Sequence, residues 1–549
     1  MTYQLTIKCL AILLCNLSHL SIYRIFPTFF SSSYTAPMAA IILLEAIAFL
    51  TLIWWLWTTN KNKSPIRNWP LVGMLPGLLS NASHIHDYFT HLLDQSNKTI
   101  EIKGPKFSNL NLTLTSDPEN IHYILSTNFA NFNKGEDFKD IFEVLGDGII
   151  VADSDSWKMQ RRLTHSLFKQ RDFLSLLEAT ARQKVKDGLF KILDHASKSG
   201  IEVDMQDLCQ RFTFDVTCIF LLGSDLNSLS EGLPEVPFAK ALDDIEEVLL
   251  HRHLKPRSMW KLQKWMQVGV EKKATRAAET FDNFIYHQIC LKRELNKKSS
   301  EIIDHDKYRH DLISIFMEED VAAKCSNDST KPSDKFLRDS AMNLLSAGRD
   351  TSSTALTWFF YLVITNPQVE SKLVEELEVS FQMKSGEPWE FPSFAELNKL
   401  VYLHAALCET LRLYPPVPFN HKASIKPDIL PSGHKVDKGT KIIFSIYTMG
   451  RMQEIWGADA TVFKPERWIS KTGNIIDVPS YKFNVFSAGP RTCVGKDLAF
   501  MEMKIAAAAI VWRYGLRMVT GGPPVTPANS VILHMKHGLK VNVATRTGR

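Results

Sequence analysis

The sequence predicts a mainly α-helical protein with a smaller β portion, preceded by one N-terminal transmembrane helix. Three observations lead to this prediction. Between about residues 155 and 380, apolar residues recur at helical spacing. Beyond about residue 410, short strand-like runs alternate with proline and glycine. Residues 38–57 read MAAIILLEAIAFLTLIWWLW, an apolar run that spans about 30 Å as a helix.

The composition is that of a folded protein with a large core. The 549 residues are 45% hydrophobic and 22% charged, which excludes a disordered tail, a collagen and a disulfide-rich miniprotein. A net charge of +5 is too small for a nucleic-acid-binding protein, so we expect no nucleic-acid partner. The eight cysteines are scattered without a CxxC pair, which excludes a disulfide framework and a zinc ribbon.

The N-terminal region is predicted to contain two segments. We hypothesise that residues 1–37 are an upstream extension of the reading frame and that Met38 is the functional start. Residues 38–57 form the anchor, since three tryptophans end the run and basic residues follow from Lys61, which leaves the remaining chain in the cytosol. A cleaved signal peptide is the alternative, but it would have a shorter apolar run and a small-residue cleavage site.

After the anchor, residues 58–80 form a stiff, proline-rich linker, and residues 81–549 form one catalytic domain. Short strands are predicted at Thr99–Ile102 and Leu110–Thr115. The predicted helices are Trp157–Phe168, Phe173–Ser197, Val203–Leu222, Phe238–Leu250, Ala274–Leu295, Phe336–Ile364, Pro367–Phe381 and about Lys496–Trp512.

The most specific local pattern surrounds Cys493. Residues 486–495 read FSAGPRTCVG, which fits F-x-x-G-x-R-x-C-x-G. A thiolate in a loop bounded by Gly489 and Gly495 can lie beneath a flat cofactor, because glycine lets the backbone approach closely. The helix that follows should lower the pKa of the thiol and favour its ligand form. A lone cysteine is more often a buried apolar residue, but five matched positions indicate a ligand.

With this motif, the chain from about residue 65 to its end resembles the cytochrome P-450 family of haem-thiolate monooxygenases. The resemblance implies a mostly helical, prism-shaped fold that binds haem b and uses O2. It implies that Cys493 is the axial ligand of the haem iron, and that Phe486, Gly489, Arg491 and Gly495 bind the cofactor. A thiolate ligand pushes electron density onto the iron and favours O–O cleavage.

Trp157 and Arg161 are one helical turn apart and present two hydrogen-bond donors suited to a carboxylate. The resemblance implies that they hold the haem propionates together with Arg491. Without the other motifs, the pair equally fits a surface aromatic beside an arginine, and the adjacent Arg162 is not separable from Arg161 by spacing alone.

Glu409 and Arg412 fit E-x-x-R on one helix, and Arg467 follows in a P-E-R-W sequence. The resemblance implies that the three side chains lock together behind the haem loop as a structural element. Taken singly, E-x-x-R is more often a solvated helical ion pair.

The segment Ala347-Gly348-Arg349-Asp350-Thr351 interrupts a long apolar helix. Glycine costs a helix about 1 kcal/mol relative to alanine, and an acid beside a hydroxyl in such a helix needs a reason. The resemblance implies that Asp350 and Thr351 are an acid–alcohol pair that delivers protons during oxygen activation. The alternative is a Ser/Thr-rich helix whose hydroxyls bond back to its own carbonyls.

Only 56 residues follow Cys493, so we expect no fused flavin domain and a separate electron donor. The resemblance implies NADPH–cytochrome P-450 reductase as the partner, and an endoplasmic reticulum membrane location with a single pass and a cytosolic catalytic domain. Five basic residues near the haem motifs are candidates for a docking face, although each alone is a solvated side chain: Lys158, Arg162, Lys169, Lys482 and Lys496.

Within the family, phrases such as AGRDTSSTALTWFF resemble the plant fatty-acid ω-hydroxylase clan, most closely its alkane mid-chain hydroxylase branch. The implied substrate is a long-chain lipid that enters from the bilayer. By analogy, substrate contacts are expected from the Phe138–Ile149 loop and from Leu345, Ala347, Val417, Phe419 and Ile532. Core packing equally accounts for these residues, and none of them decides between alkane and fatty acid or fixes the position of attack.

Two other functions stay open. A haem-thiolate isomerase or dehydratase of fatty-acid hydroperoxides would need neither O2 nor reductase, and relatives of that kind commonly lack the threonine found here at Thr351. A non-catalytic, membrane-anchored haem protein would tolerate the loss of proton delivery.

Overall fold

A computed structural model of the chain describes residues 47–49, 51–52, 68–69, 71–106, 108, 110–299, 311–317, 333–383 and 387–546. The predicted extension, residues 1–37, and most of the predicted anchor, residues 38–57, lie outside the described residues. Among the described residues, no helix is both long enough and apolar enough to cross a membrane.

The described chain is mostly helical, as the sequence predicts. The helices, numbered along the chain, are α1 (Leu75–Ser80), α2 (Ile85–Gln95), α3 (Pro118–His122), α4 (Gly135–Ile141), α5 (Ser154–Leu167), α6 (Arg171–Lys184), α7 (Phe190–Ser199), α8 (Met205–Leu222), α9 (Pro237–Leu254), α10 (Arg257–Met266), α11 (Gly269–Ser299), α12 (Leu312–Phe316), α13 (Asp334–Thr365), α14 (Pro367–Phe381), α15 (Phe394–Leu397), α16 (Val401–Leu413), α17 (Ile446–Met449), α18 (Gln453–Trp456) and α19 (Lys496–Arg513).

The smaller β portion of the fold is also confirmed. The strands are β1 (Thr99–Ile102), β2 (Leu112–Thr115), β3 (Phe132–Asn133), β4 (Val203–Asp204), β5 (Phe419–Ser424), β6 (Asp428–Ile429), β7 (Lys435–Val436), β8 (Lys441–Ser445), β9 (Tyr514–Met518) and β10 (Lys540–Thr545). A five-stranded sheet has the order β1-β2-β8-β5-β3, a second sheet has the order β4-β10-β9, and β6 pairs with β7. In the first sheet β2 runs parallel to β8, with Thr113 opposite Ile442, while the other pairs are antiparallel.

Several predicted helix boundaries differ from the structure by a few residues, and two of these differences have local reasons. The predicted helix Phe173–Ser197 is divided by a π-helical turn at Val185–Leu189, which separates α6 from α7. The predicted helix Val203–Leu222 starts two residues later, because Val203 and Asp204 pair with β10. Asp204 then caps α8, since its carboxylate accepts a 2.9 Å hydrogen bond from the backbone N–H of Gln206.

Helix α13 is the central element of the fold. It begins where the Ser333 hydroxyl accepts a hydrogen bond from the backbone N–H of Phe336, and it ends before Pro367 starts α14. Its middle is tied to α8, because the Thr213 hydroxyl donates a 2.8 Å hydrogen bond to the carbonyl of Arg349. A Cβ on Gly348 would lie 3.0 Å from the Thr217 side chain, so this glycine also allows α8 to approach closely.

Candidate active site

A cavity of about 370 Å³ is lined by residues of α5, α8, α13 and α19 and by the loop that precedes α19. Phe486, Cys493 and Gly495 from the cysteine motif all contribute to its wall. Cys493 lies in the interior of the protein, and the exposed part of its side chain is on the wall of this cavity. The structure therefore places the predicted ligand on the surface where a cofactor would bind.

Backbone hydrogen bonds fix the loop that carries Cys493. The N–H of Cys493 donates to the carbonyl of Phe486 over 2.7 Å, and the Thr492 hydroxyl donates to the carbonyl of Gly489 over 2.7 Å. Burial raises the pKa of the Cys493 thiol, although the Gly495 N–H and the Arg161 charge act in the opposite direction. The predicted lowering of this pKa is therefore wrong for the protein alone, because desolvation outweighs the helix end; a bound metal ion would deprotonate the sulfur outright.

The two glycines of the motif have different functions in the fold. Gly495 lines the cavity, whereas Gly489 does not. Gly489 has φ +64°, and a Cβ there would lie 1.9 Å from the carbonyl oxygen of Leu125. Gly489 is therefore required by the packing of the loop against residues 123–127, and not by close approach to a cofactor as the sequence suggested.

A group of donors lines another part of the wall. It contains the predicted residues Trp157, Arg161 and Arg491, together with two lysines that sequence reasoning missed, Lys134 and Lys422. The guanidinium of Arg491 lies 4.6 Å from the ring of Trp157. It also donates 2.7 Å hydrogen bonds to the carboxylate of Asp153 and to the carbonyl of Ala152.

This group carries more positive than negative charge. Among the described residues, Asp153 is the only carboxylate that forms an ion pair with these cations. Burial, reinforced by the charge of Arg491, lowers the pKa of Lys134 to about 7 and holds the pKa of Lys422 well below its ordinary value. The Nε atom of Arg491 is buried without a hydrogen-bond partner. Guanidinium, amine and indole N–H groups, with one carboxylate among them, are the donor set that the two propionates of haem b require, so the residues present fit that cofactor.

One face of α13 lines the cavity. The lining residues of this helix are Asn343, Leu344, Ala347, Gly348, Thr351, Ser352 and Ala355, which follow the spacing of a single helical face. Thr351 lies on this face, and its hydroxyl donates a 2.7 Å hydrogen bond to the carbonyl of Ala347. The oxygen of Thr351 therefore stays available as an acceptor towards the cavity.

Asp350 lies on a different face of the same helix. Neighbouring helical residues are about 100° apart around the axis, so the Asp350 side chain does not line the cavity beside Thr351. Its Oδ1 atom lies 3.3 Å from Nη1 of Arg349, which in turn donates a 2.8 Å hydrogen bond to Asp243. Burial raises the pKa of Asp350 to about 7 despite the charge of Arg349. The carboxyl group can thus hold a proton near neutral pH, one residue away from the cavity wall.

Glu502 on α19 is a second buried acid, and no sequence pattern predicts it. It lines the cavity, as does Ser352 of α13, and its Oε1 atom is buried without a hydrogen-bond partner among the described residues. Burial raises the pKa of Glu502 to about 8, so the side chain is largely protonated at neutral pH. Glu502 therefore adds a neutral acid, and not a second negative charge, to the wall that also contains Cys493.

The structure brings the three lock residues together away from the cavity. Glu409 and Arg412 are fully buried and form paired hydrogen bonds of 2.6 and 2.7 Å. Glu409 also accepts hydrogen bonds from Arg467 over 3.2 Å and from the Trp468 indole over 2.9 Å. Every oxygen of the Glu409 carboxylate is thus used, which is the arrangement of a structural element and not of a reacting group.

The predicted substrate residues are only partly in the cavity. Ala347 and Val417 line it, as does Ile149 at the end of the Phe138–Ile149 loop. Leu345 is fully buried in the core, Phe419 packs against the rings of His86 and Phe89, and Ile532 is not part of the lining. These three positions are corrected, since Leu345 and Phe419 pack in other layers and Ile532 lies outside the lining.

Helical spacing could have found two of the missed lining residues. Counting back from Ala347 by three and four positions reaches Leu344 and Asn343, whereas Leu345 falls off that face. The contributions of α8, which are Val216, Thr217 and Phe220, carried no such signal. Their proximity to α13 is long-range in sequence and follows only from the packing of the two helices.

Comparison with known proteins agrees with this geometry. The family model described as cytochrome P450 matches residues 64–543. The chain is 43% identical to alkane hydroxylase MAH1 of Arabidopsis thaliana over 484 residues, which cover 88% of this chain and 93% of that protein. It is 39% identical to noroxomaritidine synthase 2 of Narcissus pseudonarcissus over 89% of this chain and 93% of that protein. It is 38% identical to cytochrome P-450 86B1 of Arabidopsis thaliana over 87% of this chain and 85% of that protein.

Proposed function

Since this chain belongs to the cytochrome P-450 family, we propose that it hydroxylates long-chain aliphatic substrates, with alkanes preferred over fatty acids. Members of the family are haem monooxygenases that use O2 and reductase-derived electrons. The balanced reaction is R–H + O2 + NADPH + H⁺ → R–OH + H2O + NADP⁺. The haem supplies the activation of O2, and this chain holds the cofactor, excludes water and delivers protons.

The apolar wall above α13 is the observation that carries the proposal. Val216 and Phe220 of α8, Leu344 of α13 and Val417 face this part of the cavity, in which a hydrocarbon finds van der Waals contact. Each buried CH2 group contributes about 0.8 kcal/mol, so a long chain is held without polar contacts. The similarity to an alkane hydroxylase supports the same substrate class.

The charges of the cavity favour a neutral chain. Among the described lining residues, the basic side chains are Lys134, Arg161, Lys422 and Arg491. All four are assigned to the cofactor-binding wall, which leaves no separate cation for a substrate carboxylate. A buried carboxylate without a partner is costly, so a fatty acid would bind with its carboxyl group outside the cavity.

The remaining parts of the proposal concern the partner and the membrane. We assign electron delivery to NADPH–cytochrome P-450 reductase, docked on Lys158, Arg162, Lys169, Lys482 and Lys496, all of which are exposed. We assign residues 38–57 to a single-pass anchor in the endoplasmic reticulum membrane, 58–80 to the linker and 81–549 to the cytosolic catalytic domain. The exposed charges suit an acidic partner, since electrostatic complementarity raises association rates.

The test is product analysis in microsomes that contain the full chain and the reductase. Nonacosane and hexadecanoic acid are supplied separately, and the hydroxylated products are identified by mass spectrometry. NADPH-dependent hydroxylation of nonacosane supports the proposal, and turnover of the fatty acid alone makes the protein a fatty-acid ω-hydroxylase. A thiolate-type carbon monoxide spectrum with no lipid product under any condition would overturn aliphatic hydroxylation.

A further inference from the structure

A buried polar cluster lies next to α13 on the side of Asp350. Glu246 comes from α9, His534 comes from the segment between β9 and β10, and Asp350 comes from α13. One ring nitrogen of His534 and one carboxylate oxygen from each acid lie within 4.8 Å of one another. Three elements that are distant in sequence therefore converge on one point, and none of these three residues lines the cavity.

The histidine of this cluster has a partner at each ring nitrogen. Its Nε2 lies 3.0 Å from Oε2 of Glu246, and its Nδ1 lies 3.0 Å from the hydroxyl of Thr354. A hydroxyl both donates and accepts, so Thr354 satisfies Nδ1 whether or not that nitrogen carries a proton. The imidazole can therefore gain or lose a proton without leaving a buried atom unpaired.

Asp350, at the inner end of the cluster, has a carboxylate oxygen without a hydrogen-bond partner among the described residues. Oδ1 of Asp350 is buried and accepts no hydrogen bond from the described residues, although Arg349 lies beside it. Two hydrogen bonds in series span about 5.6 Å, so one water molecule can join Asp350 to His534 or Glu246. A single bridging water would complete a path to an atom that otherwise has no partner.

The outer end of the cluster reaches solvent. The side chains of His534 and Glu246 are 13% and 15% exposed, whereas that of Asp350 is 4% exposed. Ser530 adds a further hydroxyl, which donates to Glu246 over 3.2 Å. Proton exchange with bulk water is thus possible at Glu246 and His534, but not directly at Asp350.

We propose that Glu246 and His534 form a proton-supply pair that recharges Asp350 from outside the cavity, on a face of α13 about 100° away from Thr351. The imidazolium of His534 gives its Nε2 proton to the Glu246 carboxylate, which passes the proton through water to the Asp350 carboxylate, and Asp350 becomes a neutral acid. His534 then regains a proton from solvent, while the Glu246 carboxylate stabilises its charged form. Each cycle of the pair moves one proton, and no other bond is made or broken.

The charges around His534 agree with proton transfer from His534 towards Asp350. Burial disfavours the imidazolium, but the hydrogen bond and charge of Glu246 outweigh burial and raise the pKa of His534. Asp350 faces the ring with a further negative charge, and Arg349, which pairs with Asp243, faces it with a positive one. His534 is accordingly a positioning and supply residue, because it acts through Asp350 and touches neither cofactor nor substrate.

The test compares His534→Gln and Glu246→Gln with two matched variants in the full-length enzyme with its reductase. His537→Gln changes an exposed histidine of the same segment, and Glu247→Gln changes an exposed glutamate of the same helix. We expect hydrogen peroxide released per NADPH to rise about fivefold to tenfold in the first two variants, since lost acid catalysis uncouples oxygen reduction. The two controls should match the wild type, and haem content should be equal in all five proteins.

A second measurement separates supply of protons from structural damage. Hydrogen peroxide, supplied in place of NADPH and O2, brings its own protons, so His534→Gln should then turn over at the wild-type rate. The proposal rests on the acid function assigned to Asp350. Peroxide release is measured without identifying the lipid product. A wrong assignment of the substrate can therefore be distinguished from a failure of the proton-supply proposal. Peroxide release equal to that of the controls, or an equal loss with added peroxide, would overturn the proposal. Loss of wild-type activity with EDTA and its recovery with Zn²⁺ would overturn it too, by identifying a metal site.

Discussion

Arg491 and Asp153 form a 2.7 Å ion pair that ties the cysteine loop to the start of α5. Asp153 precedes α5 without capping it, and its carboxylate instead accepts hydrogen bonds from the Arg491 side chain and from the Lys134 backbone N–H. Because Trp157 and Arg161 follow on the same helix, this pair sets the distance between the thiolate and the propionate-binding donors. Two motifs more than 300 residues apart thereby become one site.

Replacement of Cys493 by serine should abolish thiolate ligation. We expect Cys493→Ser to lose the long-wavelength carbon monoxide band of the reduced protein, because a serine oxygen does not donate electron density as a thiolate does. Cys290→Ser, at an exposed cysteine, is the control and should keep the band. An unchanged Soret spectrum in Cys493→Ser would show that the ligand is another residue.

Thr351 is predicted to control coupling and not cofactor binding. Thr351→Ala should retain haem but lower the product formed per NADPH by about tenfold or more, because the hydroxyl on the cavity face of α13 is lost. Thr351→Ser keeps the hydroxyl and should restore most of the coupling. Fully coupled hydroxylation in the alanine variant would contradict this function.

Glu409 is predicted to stabilise the fold. Glu409→Gln leaves the buried Arg412 without its charged partner, so the free energy of unfolding should fall by about 3–5 kcal/mol. Glu454→Gln breaks an exposed ion pair with Lys98 and should cost at most about 1 kcal/mol. Denaturant unfolding of the haem-loaded proteins measures both values, and equal stabilities would exclude a structural lock.

Replacement of Lys422 should have opposite effects on the stability of the cofactor-free protein and on the retention of haem. Its ammonium is buried, and its described hydrogen bond is a 3.3 Å contact to the carbonyl of Phe132. Lys422→Gln removes a buried amine whose charged form burial disfavours, so the cofactor-free protein should melt at a higher temperature, while haem dissociation should accelerate about tenfold. Lys426→Gln, at an exposed neighbour, should change neither measurement.

Glu502 should make stability depend on pH. Its pKa is about 8 in the folded protein and 4.5 when unfolded, so the folded state binds the extra proton between these values. The free energy of unfolding should therefore fall as the pH rises from about 5 to 8, by up to about 5 kcal/mol. Glu502→Gln should make this slope shallower and leave the part that Asp350 contributes through its own raised pKa, whereas Glu375→Gln, at an exposed site, should leave the slope unchanged. Parallel pH profiles for wild type and Glu502→Gln would refute the assignment.

The sequence located the motif residues more accurately than the residues around them. Cys493, Arg491, Trp157 and Arg161 line the cavity, because each belongs to a pattern with chemical meaning at fixed spacing. Lys134 and Lys422 belong to no such pattern, and a lone lysine in a sequence is most often solvated. Their partly or fully buried positions follow from the pairing of β3 with β5 and from the path of the chain before α4.

Among the predicted substrate-contacting residues too, the sequence located some positions correctly and missed others. Ala347 lines the cavity as predicted, but Leu345 does not, since adjacent residues of a helix point in directions about 100° apart. The same rotation separates Asp350 from Thr351, which the sequence presents as a pair. When Thr351 is taken as the reference residue, helical spacing along α13 identifies the face that lines the cavity.

By itself, the sequence determined the helical class, the order of the main helices and the cysteine-centred chemistry, because periodicity and motif spacing are local properties of a chain. Only the tertiary structure decided which side chains share a cavity, that Asp350 faces Glu246 and His534, and that Glu502 is buried as a neutral acid. Burial and proximity arise from contacts between distant elements. A pKa, a donor set or a proton path therefore exists only after those elements have packed.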